Sequence, residues 1–235
     1  MNSVVTEVRE ALISFSDELT RLSGERFFKE PVKLYGIKAA AVKTISREYF
    51  KEIDRKSKDE IFAICDELWQ SGFLEESAIA CNWSYYVHGD YLPADFEVFE
   101  SWVKKYISNW ASCDTLCNHT VGTFVEMYPE FLSRLKDWAR SRQRWVKRAS
   151  AVSLIIPARK GKFLGDILEI AGILHSDNDD MVQKGYGWML KAASESHRQE
   201  VFDYVMSKKD TMPRTALRYA IEKMPGELKA LAMAR

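Results

Sequence analysis

Gln143-Arg144-Trp145-Val146-Lys147-Arg148-Ala149-Ser150-Ala151-Val152-Ser153-Leu154-Ile155-Ile156 is the stretch that decides the fold. Val146, Ala149, Ser150, Ser153 and Leu154 recur at three- and four-residue intervals, which makes one buried stripe of a helix. Arg144 and Lys147 fall outside the stripe, and Arg148 falls outside it or at its edge. Arg148 also has counterparts at a fixed distance. Asp114 lies 34 residues before it, Lys184 lies 36 after it, and Arg218 follows 34 further on. A recurrence in the thirties corresponds to one helix pair per step of a stacked array. The expected fold is all-α, an α-α superhelix whose equivalent helices line one concave, locally basic face.

The flanking sequence reads the same way. There is no sustained alternation of apolar and polar residues and no Asn-Gly or Asp-Gly hairpin signal. Helices are expected near residues 4–22, 38–50, 58–70, 74–86, 94–106, 110–117, 122–128 and 130–140. Others follow near 143–156, 161–174, 179–193, 198–206 and 214–223. Ser57-Lys58-Asp59-Glu60 has the capping-box spacing, and Ser176-Asp177-Asn178 offers N-cap oxygens to the helix after it. Pro93, Pro129 and Pro213 suit first turns, where a missing N–H costs nothing. Gly185, Gly187 and Ala192 are small enough to let neighbouring helices approach. Short links between helices imply antiparallel pairs, about six of them in one domain spanning residues 1–235. Glu30 to Gly36 reads as a turn after the basic-aromatic patch Arg26-Phe27-Phe28-Lys29. Val87 to Pro93 reads as a loop carrying a surface His88.

Composition bounds the function classes. Of 235 residues, 46% are hydrophobic and 29% charged, as in ordinary globular proteins. No apolar run approaches the roughly 20 residues that cross a bilayer. Met1 to Leu22 mixes acids and bases with apolar residues, unlike a signal peptide, so a cytoplasmic protein without membrane contact is expected. Cys113, Cys117 and His119 lack the spacing of a zinc knuckle, and the four cysteines read as buried thiols rather than metal ligands. The formal net charge is zero, but it is unevenly spread. Glu60 to Glu130 carries twelve acids against two bases, while Arg134 to Lys162 carries ten bases against Asp137. A local field of that sign attracts phosphates; a solvated helix face is the plainer alternative.

The candidate chemistry centres on Trp110 and Asp114, four apart and so on one helical face. An indole beside a carboxylate makes a poor core, because an unpaired buried carboxylate is costly. Asp114 could instead cap a neighbouring helix or pair with an arginine such as Arg148. Arg148, three residues after Trp145, has the planar fork suited to phosphate. Trp188 could be core. Taken together, two indoles and a carboxylate suit a cationic ligand, and a row of cations suits a polyanion that carries it. A base alkylated on a ring nitrogen is such a cation, and so is the sugar oxocarbenium formed as its glycosidic bond breaks. An ionised carboxylate favours that transition state and can position water.

Several segments, in order and spacing, resemble the AlkD-like DNA glycosylases, DNA alkylation repair enzymes built from HEAT-like helical repeats. They are Leu34-Tyr35-Gly36-Ile37, Leu68-Trp69 followed by Glu75-Glu76, and Asn109-Trp110-Ala111-Ser112-Cys113-Asp114. Trp145-Val146-Lys147-Arg148-Ala149, Gln183-Lys184-Gly185-Tyr186-Gly187-Trp188 and Pro213 to Ala220 continue the series. The resemblance runs from about Val32 to Met224. It implies a monomer that holds duplex DNA and excises N3- or N7-alkylated purines with no metal or cofactor, leaving the base largely in the stack. It implies catalytic roles for Asp114, for the aromatic walls Trp110 and Trp188, and for Arg148 as a grip on phosphate. Lys147, Arg144, Lys184, Arg218, Phe27 and Lys29 complete the expected DNA contacts. The chain departs from the family pattern at Phe27, where a tyrosine is usual, and at Asp180 and Met181, where paired aromatics are usual. A helical scaffold that binds nucleic acid or protein without chemistry is the alternative, since such arrays serve both purposes.

Overall fold

The capping box expected at Ser57 is formed. Ser57 Oγ accepts from the Glu60 backbone N–H, and Glu60 Oε2 accepts from the Ser57 N–H at 2.9 Å. A computed structural model describes residues 3–234, and its named elements are all helical. They are α1 (Ser3–Ser14), α2 (Glu18–Glu25), α3 (Ala39–Phe50), α4 (Lys58–Gln70), α5 (Leu74–Tyr86), α6 (Asp95–Lys105), α7 (Trp110–Thr115) and α8 (Gly122–Met127). The remainder are α9 (Leu132–Ala139), α10 (Arg144–Val152), α11 (Ile155–Arg159), α12 (Leu164–Leu174), α13 (Asp180–Ala193), α14 (Arg198–Lys208), α15 (Arg214–Ala220) and α16 (Gly226–Met233). Short 3₁₀ segments occupy His88–Asp90 and Pro129–Phe131, and Leu116–Val121 is π-helical. Extended pairing among the described residues is limited to an isolated bridge between Lys33 and Phe73. The residues fall into two compact units, 1–115 and 116–235.

In the first unit α1 buries Val4, Val5, Val8 and Leu12, the face that packs on α3 and α4. The single helix expected over residues 4–22 is broken in two. Ser14 and Ser16 turn their hydroxyls onto the Ala11 and Ile13 carbonyls, both at 2.7 Å. Asp17 then accepts from the Thr20 N–H at 2.7 Å and starts α2 afresh. Short polar side chains that compete for backbone groups favour such ends over helix interiors. None of the α2 residues is buried. The core of this unit lies instead around α4, α5 and α6, where Phe62 meets Phe99 and Trp102 edge-on at 5.5 Å between ring centroids.

In the second unit the stripe Val146, Ala149, Ser150, Ser153 and Leu154 is buried as expected. The helix carrying it stops at Val152, because Pro157 has no N–H for the Ser153 carbonyl and the chain restarts as α11. A Cβ on Gly122 would lie 2.7 Å from that carbonyl, so glycine is required there. Helix α13 packs on both α10 and α15. The contact with α15 is close: a Cβ on Gly187 would meet Tyr219 Cβ at 2.7 Å and the Ala216 carbonyl at 2.8 Å. Arg148, Lys184 and Arg218 therefore stand on successive packed helices, as the spacing predicts. Helix α16 has no counterpart in the sequence expectations; it buries only Ala232 and so leaves no stripe to detect.

Candidate functional site

In the first unit α7 presents Trp110 and, one turn on, Asp114, and both are half-exposed. Asp114 is therefore not sealed in the core. Trp110 is held on two sides. Its ring stacks on Phe28 at 5.4 Å and 20° between planes, and its Nε1 donates to the Phe27 carbonyl at 3.3 Å. The Phe27 side chain itself is 72% exposed, and Lys29 is exposed beside it. Trp110 and Phe28 also line a cavity of about 480 Å³, together with Leu34, Ile37, Val42 and Leu74.

Further along the chain, two buried acids pin residues 35–37, and Gly36, Ile37 and Glu75 line the same cavity as Trp110 and Phe28. Glu75 accepts from the N–H groups of Tyr35, Gly36 and Ile37 at 3.1, 2.9 and 3.3 Å. Glu76 accepts from the Tyr35 hydroxyl at 2.8 Å and pairs with Arg9 at 3.0 Å. Burial, with the carboxylate beside it, pushes the Tyr35 phenol up and keeps it a donor. Gly36 has φ +86°, and a Cβ there would meet the Asp17 carbonyl at 2.4 Å. Glu75, Glu76 and Phe28 belong to the site's framework, a role that sequence patterning leaves unassigned. Two consecutive acids at the start of an otherwise largely apolar segment, Leu74 to Tyr86, were the available signal.

In the second unit Arg148 is not at the edge of the stripe but buried, 5% exposed. Its Nη1 donates to the Met181 carbonyl at 2.5 Å, and its stem lies where a Cβ on Gly185 would approach Cγ to 3.2 Å. Gly185 thus makes room for an arginine, not merely for a helix. Trp188 is half-exposed rather than core, and Arg218 is exposed. The neighbouring cations carry carboxylate partners. Arg144 Nε lies 3.0 Å from Asp179 Oδ2, with its guanidinium 4.8 Å from the Trp145 ring centre. Lys147 pairs with Asp177, and Lys184 with Asp180 at 2.8 Å.

The same holds along the basic run. Lys136 meets Asp166 and Glu169, Lys160 and Lys162 share Glu126, and Arg159 approaches Glu195. The local positive field is smaller than the run suggests, because its acids come from other repeats. The exposed pair among them, Arg159 with Glu195, is weak, so a phosphate can exchange for the carboxylate there. Among the described residues no group of three His, Cys, Asp or Glu could hold a metal, and all four cysteines are buried. Among the described residues no helix is long and apolar enough to cross a membrane.

Helices packed pairwise in each unit, with no strand among the described residues, define an all-α helical-repeat protein. Its family is a specific one: the chain belongs to the DNA alkylation repair enzyme family, whose model matches residues 8–224. It is similar to a solved structure described as "Predicted DNA alkylation repair enzyme from Enterococcus faecalis", at 16% identity and a TM-score of 0.81. That likeness covers 90% of this chain and 97% of the other, and at such identity it establishes the fold. No curated protein matches the chain. Family membership brings an enzymatic role in DNA repair, with DNA as the partner.

Proposed function

We propose that the protein is a monofunctional DNA glycosylase acting, as a monomer of one helical-repeat domain, on N3- and N7-alkylated purines in duplex DNA. The alkylated base already carries a positive charge. Its bond to C1′ breaks with the electron pair moving to the ring nitrogen, so the base leaves neutral and no strong general acid is needed. Asp114, ionised, stabilises the oxocarbenium left on the sugar and positions a water. The water oxygen bonds to C1′ and its proton is released, completing hydrolysis. Trp110 and Trp188 offer aromatic faces to the cation. Arg148 grips phosphate through the donors that its bond to the Met181 carbonyl leaves at the barely exposed end of its guanidinium, with Arg144, Lys147, Lys184, Arg218, Lys29 and Phe27 as further DNA contacts. Neither metal nor cofactor enters the reaction.

The observation that carries this reading is that Asp114 is a half-exposed residue, not a core one, one turn from a tryptophan braced by Phe28. A carboxylate sealed in a core would not serve. Incubation of the protein with globally methylated duplex DNA, followed by chromatography of the supernatant, tests the reaction. Free alkylated purine is expected; intact glycosidic bonds under protein excess would refute it. A second reading, an interaction scaffold, has its own support in the exposed apolar residues Ile13, Phe15, Leu19, Leu22 and Phe27. Such a scaffold releases no base.

A further inference from the structure

We propose that the acidic turn Asp177–Asp180 is a built-in phosphate mimic that occupies the cations of α10 and α13 and gates DNA binding. The inference rests on the DNA-binding reading above and concerns its regulation. It starts from how the carboxylates divide their oxygens. Asp177 Oδ1 accepts from the Asp179 N–H at 2.9 Å, while its Oδ2 pairs with Lys147. Asp179 Oδ1 caps α13, accepting from Met181 and Val182 N–H at 2.8 and 3.2 Å, while its Oδ2 lies 3.0 Å from Arg144 Nε. Asp180 Oδ2 lies 2.8 Å from Lys184 Nζ. The Gln183 amide closes the turn by donating to the Asp177 carbonyl at 2.9 Å.

One aspartate is enough to cap a helix. Here three acids in four residues present oxygens to three separate cations, and two of them are fixed by their own backbone bonds. The Lys147–Asp177 pair is mostly shielded, with side chains 19% and 13% exposed. An array of anionic oxygens at fixed positions facing lysine and arginine is the arrangement a DNA backbone would impose. A duplex must therefore displace the turn's carboxylates. The turn raises the threshold for binding without blocking it.

The two functions of each carboxylate can be separated by substitution. Asp177→Asn with Asp179→Asn keeps an acceptor oxygen for each backbone N–H and removes only the charge. Fluorescence anisotropy with a labelled, unmodified duplex, from 50 to 300 mM salt, is the measurement. The double variant should bind about five-fold more tightly at the low end. Its dependence on log salt should steepen by about one to two, since cations freed from carboxylates now exchange solution counterions. Asp203→Asn, which removes an acid bonded to Gln199, controls for net charge and should change affinity by less than about two-fold. Asp180→Asn, on the helix surface, tests the same idea where folding is not at stake and should tighten binding by about two-fold. If wild type binds and these variants bind no tighter than the Asp203 control, the mimic is refuted while the DNA reading stands. If no form binds duplex even at 50 mM salt, both fall together.

Discussion

Glu75→Ala would remove one side chain and strand three backbone donors. The carboxylate accepts from Tyr35, Gly36 and Ile37 at 3.1, 2.9 and 3.3 Å, and Glu75 is 6% exposed. Hydrogen bonds to a charged group contribute about 1.5–3 kcal/mol each, and a buried donor left unmet costs about 1–3 kcal/mol. Tyr35 and Ile37 are half-buried, so water can reach their N–H groups; Gly36 is buried and its donor is left unmet. The expected loss is therefore about 3 kcal/mol, not the sum of three bonds. Glu75→Gln keeps one acceptor oxygen and should lose about half as much. Because the chain has two compact units, the loss is best read locally, by amide hydrogen exchange. Exchange at Gly36 should accelerate by about 100-fold, using 1.4 kcal/mol per decade. The Phe27–Phe28 brace on Trp110 should loosen with it. Acceleration of less than about five-fold would show that Glu75 does not hold this turn.

Two glycines on helices should respond in opposite senses to alanine. Gly187→Ala drives a Cβ into the backbone of α15 and should destabilise by at least about 2 kcal/mol in urea unfolding. Gly165→Ala meets open space in α12 and should stabilise by about 0.4–1 kcal/mol. Burial raises the Glu126 carboxyl, but its bonds from Lys160 and Lys162 outweigh this and hold it below the ordinary glutamate value. A depressed native value contributes stability above the unfolded value that is lost as pH falls through the native one. Glu126→Gln should therefore flatten the acid limb of a stability profile below about pH 4.5 and cost stability at neutral pH. An unchanged acid limb would contradict the pairing.

What the sequence made legible was local. The Ser57 capping box and the α10 stripe are set by neighbours three or four positions away. The helix break at Ser14–Asp17 was signalled by residues that prefer ends, but an apolar periodicity read over a longer window concealed it. The neutralisation of the basic run was mostly not local: Arg140 approaches Asp137 three residues away, but the other pairs reach across repeats. Lys147 meets Asp177 at a separation of 30, and Lys160 and Lys162 meet Glu126 at 34 and 36; outside the run, Lys191 meets Glu222 at 31. These are close to the spacing that disclosed the repeats. Acids placed one repeat from each base would have predicted the pairing. The burial of Arg148 was hidden for a different reason: a glycine on another helix, Gly185, makes its room.

The central claim is that Asp114 acts, ionised, on the sugar of an alkylated nucleotide. Single-turnover release of N7-methylated purine from duplex DNA, comparing wild type with Asp114→Asn, tests it most directly. The asparagine variant should bind the duplex within about two-fold of wild type and release base at least about 100-fold more slowly. Release at the wild-type rate would contradict it.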